Sequence, residues 1–191
     1  VGEGLRNLVN QHGDANKITG SQPETISFMA GYASHLILDE TWITTVFRPN
    51  FGRGGRLSRF SSDSNLIWDR ALQLGLDRMF WESMNPYINE LKEYNYPNNI
   101  SFLKEEPVEE WRSWILRLLD AEFSWNRLSF MANRIARGDS SHPVIGMAEE
   151  FLSDPDAGFE EILDKMPKNA IEEFSYVAQN NIAKLVSGFV S

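Results

Sequence analysis

The stretch Phe28–Trp42, FMAGYASHLILDETW, decides the fold, because its apolar residues recur at helical and not at alternating spacing. Steps of four and three link Phe28, Tyr32, His35, Asp39, Trp42 and Val46, and this spacing predicts them as the buried stripe of one helix. His35 and Asp39 then stand one turn apart on the dry face, where imidazole and carboxylate converge. A carboxylate on a dry face costs several kcal/mol unless something compensates it. Two compensations suit these residues. Asp39 accepts a hydrogen bond from His35 or from an arginine of another helix, or the pair holds a divalent cation. A neutral ring nitrogen and an anionic oxygen are both good zinc ligands.

Working outward, the punctuation divides the chain into helices. Ser21-Gln-Pro-Glu24 has the capping-box pattern and opens the helix, which Arg48-Pro49 is expected to stop near Phe47. A short helix is predicted before it, from Leu5 to His12. A long one is predicted from Asp63 to about Tyr94, loosened at Gly75 and kinked or divided at Pro86. Pro107 starts the most amphipathic segment, read as continuous to Arg137, and helices restart at Pro143, Pro155 and Pro167. No stretch alternates as a strand would. The reading is an all-α bundle of six or seven helices, one domain over 1–191, with a segment possible upstream of Val1.

Composition bounds the function. The chain has 191 residues, a formal net charge of −9 and no cysteine. Thiolate metal sites and disulfides are excluded, and general nucleic-acid binding is not expected without a basic face. No apolar run approaches the length of a membrane span and no signal-peptide pattern opens the chain, so a soluble, cytoplasmic protein is expected.

Residues Phe28 to Phe51, above all Gly31, Tyr32, His35, Leu36, Asp39, Glu40 and Trp42, resemble the bacterial zinc-dependent phospholipase C family; NLIWDRALQLGLDR, Asn65 to Arg78, adds weaker similarity. The resemblance implies an all-α fold in which zinc ions activate water against a phosphodiester, with His35 and Asp39 as metal ligands. The family uses further histidines, whereas this chain has three, and Gly146 follows His142 where the expected His-x-x-x-Glu pair needs an acid. The metal site is therefore expected to be incomplete or truncated. The alternative is a non-catalytic helical interaction module in which His35 and Asp39 form a buried latch.

Other residues are weighed beside these. Asp69-Arg70 and Asp77-Arg78 read as surface ion pairs, and of the two acids Asp77, among Leu74, Leu76, Met79 and Phe80, is the candidate third partner of the His35 site. The loop FGRGGRLSR, Phe51 to Arg59, with Arg48 just before it, is the one basic patch. Arg53 and Arg56 are expected to meet a phosphate-containing small molecule or lipid headgroup at the mouth of the site, with Tyr32 beside it. The other reading of this loop is unspecific solvated charge. His12 and His142 suit helix ends, and Trp111, Trp114 and Trp125 suit the core or a partner helix.

Overall fold

The computed structural model describes residues 23–57, 62–94 and 104–190, and all the regular structure among them is helical. The α-helices are α1 (Pro23–Thr41), α2 (Ser62–Phe80), α3 (Asn85–Glu93), α4 (Glu105–Asp120), α5 (Arg127–Ile135), α6 (Pro143–Ser153), α7 (Pro155–Lys165) and α8 (Ala170–Val190). A π-helical segment, Trp42–Phe51, prolongs α1, and a 3₁₀ turn, Trp81–Met84, joins α2 to α3. The all-α expectation holds. The eight described α-helices exceed the expected six or seven because two predicted long helices are each divided. The helix predicted from Leu5 to His12 lies outside the described residues.

Both divisions have local causes. The first falls just ahead of Pro86, which lacks an N–H and closes the turn before it. The second runs from Ala121, extended at φ −75° and ψ 142°, to Asn126. Within it, Ser124 Oγ accepts from the Asn126 N–H, and Phe123 and Trp125 turn edge to face with centroids 5.4 Å apart. Short polar side chains compete there with the helical ladder while two aromatic rings leave the helix surface.

Contacts group the elements into two units. In the first, α1 and the π-helical segment pack on α8. Ala33 and Ile37 meet Ile182 and Leu185, and Trp42 meets Phe174 edge to face at 5.1 Å. The line that α1 buries is Met29, Ala33, Ile37 and Thr41, not the predicted Phe28–Tyr32–His35–Asp39 stripe. This corrects the phase by nearly half a turn, ~160° of helix.

The second unit holds α2 to α7 around Leu72, Leu74, Leu128, Val144 and Ile162, all fully buried. An aromatic chain runs through it: Trp68 and Trp125 both meet Phe151, and Trp125 also meets Phe159. The Phe159 ring lies where a side chain at residue 75 would be, 2.1 Å from an ideal Cβ, so Gly75 admits helix α7 instead of loosening α2. Trp125 is half-buried and packs on Phe151 and Phe159, whereas Trp111 and Trp114 are exposed. Asp69, read as a surface residue, is buried and accepts from Gln73 Nε2 at 2.8 Å; Arg78 pairs with Asp156. Among the described residues, no helix is long and apolar enough to cross a membrane.

Candidate functional site

His35 and Asp39 do approach each other, with Nε2 and Oδ2 3.4 Å apart, but their side chains are 64% and 58% exposed. His35 stands two residues from both Ala33 and Ile37, half a turn around from the buried line. The pair faces water, and the expectation of an inward site, or of a buried latch, is corrected. Tyr32 shares this outer surface and stacks on Phe28, the rings 6.3 Å apart and nearly parallel. An exposed pair at this spacing is worth about 0.3–0.5 kcal/mol. Replacing His35 and Asp39 by alanine, singly or together, is therefore expected to move the melting temperature by no more than about 2 °C, measured by circular dichroism.

The zinc that the resemblance implies needs more than this. A 3.4 Å separation suits two corners of a tetrahedron, yet a zinc centre takes at least three protein ligands. Among the described residues, no group of three or more histidines and acids could hold a metal. Asp77 belongs to the other unit and has a cation for a neighbour: burial pushes its carboxyl above the ordinary range, while the Arg127 charge pulls it back. Arg127 itself lies over the Trp81 ring at 4.4 Å and donates to the carbonyls of Leu118 and Glu122. His142 caps α6, accepting from the Val144 N–H through Nδ1, with Nε2 3.4 Å from Asp63. His12 lies outside the described residues. The described residues do not fit a zinc centre.

The arginine loop is the built feature of the first unit, and its construction begins in the threonines. The hydroxyls of Thr41, Thr44 and Thr45 donate back to the carbonyls of Ile37, Glu40 and Thr41 at 2.7–2.8 Å, a competition that loosens the α ladder. The chain responds by widening into a π-helix, and Pro49 is carried inside it instead of ending the helix. Asn50, 1% exposed, donates from Nδ2 to the Val46 carbonyl at 2.8 Å, and its Oδ1 has no partner among the described residues.

The exit is then pinned by backbone. Gly52 N–H donates to Phe47 at 2.8 Å, Gly55 N–H to Gly52 at 2.8 Å, and Arg56 N–H to Pro49 at 3.2 Å. Gly54 takes the turn's positive φ of 79°, which suits glycine. Phe51 is fully buried against Phe47. Three side chains leave this frame into water, Arg48, Arg53 and Arg56, and among the described residues no carboxylate pairs with any of them.

The loop does not stand at the mouth of the His35 pair. Thirteen residues of helix separate His35 from Arg48, roughly 15–20 Å at about 1.5 Å per residue. What the loop offers chemically is three planar guanidiniums with fixed roots, suited to forked contacts with phosphate or carboxylate oxygens. Sequence reasoning named these arginines and missed the buried Asn50, whose only signal is its place directly after a proline. No protein-family model, curated protein or solved structure matches this chain.

Proposed function

We propose that this chain is a helical binding module whose loop of Arg48, Arg53 and Arg56 seats a phosphate-bearing anion. One observation carries the reading: three exposed guanidiniums leave the end of the π-helical segment and the backbone-pinned turn after it, and no described carboxylate neutralises them. A surface arginine in an acidic protein normally finds an acid nearby. These three sit in a chain of net charge −9, and among the described residues no acid pairs with them.

That net charge repels anions at long range, so the favourable term must be short-ranged. Forked hydrogen bonds from arginine meet that condition, because they act at contact and fix orientation as well as charge. The reading asks for binding alone and for no metal ligand. A free phosphate compound and a lipid headgroup present the same oxygens to the loop.

The test is calorimetric titration of the intact protein with inorganic pyrophosphate, repeated with vesicles bearing phosphorylated headgroups. Arg53→Ala and Arg56→Ala are each expected to weaken binding about fivefold, the worth of about 1 kcal/mol per exposed arginine at an anionic surface. Arg53→Lys keeps the charge but not the fork, so it should recover less than half of that loss. Equal affinities for the wild type and both alanine variants would refute the proposal.

A further inference from the structure

Helix α4 is held from one side. Arg112 donates to the carbonyls of Leu91 and Lys92 at 3.2 and 3.3 Å, and Lys92 pairs with Asp120, fastening α4 to the end of α3. No residue of α4 is buried. Away from Arg112, Pro107, Trp111, Trp114 and Leu118 follow steps of four, three and four along one stripe. Trp111 is 63% and Trp114 47% exposed. Beside the stripe runs an open trough of about 560 Å³ lined by Glu106, Glu109, Glu110, Ser113, Trp114 and Arg117.

The carboxylates divide into two kinds. Glu109 is already engaged by Arg112 and by the Ser113 hydroxyl. Glu106 and Glu110 are exposed, and no described side chain pairs with either. Two indoles left in water beside two free carboxylates describe a surface whose complement is apolar along its middle and cationic along one edge.

We propose that this face of α4 docks a basic amphipathic helix from a partner protein. The partner's apolar side chains cover Trp111 and Trp114, and its lysines or arginines lie against Glu106 and Glu110. Tryptophan is the side chain most often found at the energetic centre of such contacts, and an amphipathic helix supplies apolar anchors at matching spacing. Arg117 is the one cation among the described residues that line the trough, so the partner's positive charge lies toward the Glu106 end. The net charge of −9 favours encounter with a basic partner. The proposal is independent of the arginine loop, which belongs to the other unit.

The test uses the full chain and a synthetic helical peptide of about 18 residues, lysine and leucine placed at amphipathic spacing. Binding is followed by tryptophan fluorescence and calorimetry. The expected result is saturable binding that weakens as salt is raised. Trp114→Ala should lose at least tenfold in affinity, while Trp114→Phe keeps most of it and the fold, checked by thermal melting. Glu106→Gln combined with Glu110→Gln should remove most of the salt dependence. A peptide with glutamate in place of lysine should not bind. Any of three results would overturn the proposal: unchanged affinity in Trp114→Ala, equal binding of the acidic peptide, or displacement of the peptide by zwitterionic vesicles, which would assign the face to a membrane.

Discussion

Phe51→Ala is expected to cost the first unit about 3–5 kcal/mol, the usual loss when a buried phenyl ring is deleted and its cavity does not close. Phe51 has no exposed surface, stacks on Phe47 with centroids 6.4 Å apart, and is the last residue of the π-helical segment. A domain is stable by only about 5–15 kcal/mol, so this one side chain carries a large share of the first unit's stability. The effect reaches the loop as well, because Gly52 follows directly and donates back to Phe47. Denaturant unfolding should show a large fall in midpoint with little change in slope, and Phe51→Leu should recover most of it. A loss under about 1 kcal/mol would mean that the ring is not a core element and that the loop is anchored elsewhere.

Gly55→Ala is expected to weaken anion binding tenfold or more although every arginine is kept. An ideal Cβ at residue 55 falls 2.6 Å from the Asn50 carbonyl oxygen and 2.7 Å from its carbon. Both are backbone atoms at the end of a helix, so no side-chain rotation relieves the contact and the turn itself must move. Arg53 and Arg56 flank that turn and move with it, while Arg48, on the helix, stays. A guanidinium fork displaced by an ångström loses its paired geometry while keeping its charge. The substitution thus separates placement from charge. Pyrophosphate affinity equal to wild type, with the fold intact by circular dichroism, would show that charge alone suffices and that the pinned turn does nothing.

The all-α class was legible because apolar residues recur at three and four throughout and no segment alternates. The phase of α1 was not. Ile26, Phe28, Met29, Tyr32, Ala33, Leu36, Ile37 and Leu38 surround that helix with apolar groups, so several stripes satisfy the same spacing. The larger aromatics Phe28 and Tyr32 suggested one of them. The side that packs is the one with small Ala33, where α8 comes close, and His35 and Asp39 consequently face out. Asp39 then needs no compensation, and the sequence argument for a buried cation loses its premise.

Pro49 was misread for a related reason. A proline ends an α-helix when its ring meets the preceding turn, yet the wider π turn that Thr41, Thr44 and Thr45 help to open has room for it. The segment after Pro107 was read as one helix because Trp111 and Trp125 both fit its period. Only Trp125 reaches the core, through a break that edge-to-face contacts with Phe123 and Phe151 favour. Periodicity marks where a residue lies on a helix and is silent on whether the helix persists. The arginines of the loop were legible from the sequence alone, whereas the lack of a carboxylate partner among the described residues depends on the fold.

The most direct measurement is a nuclear magnetic resonance titration of the isotope-labelled chain with pyrophosphate, following backbone amides and arginine Nε–Hε signals together. The Arg48, Arg53 and Arg56 side-chain signals and the Gly54 and Gly55 amides are expected to shift first and to saturate with one affinity. Stationary arginine signals, with shifts gathered instead around His35 and Asp39, would contradict that expectation.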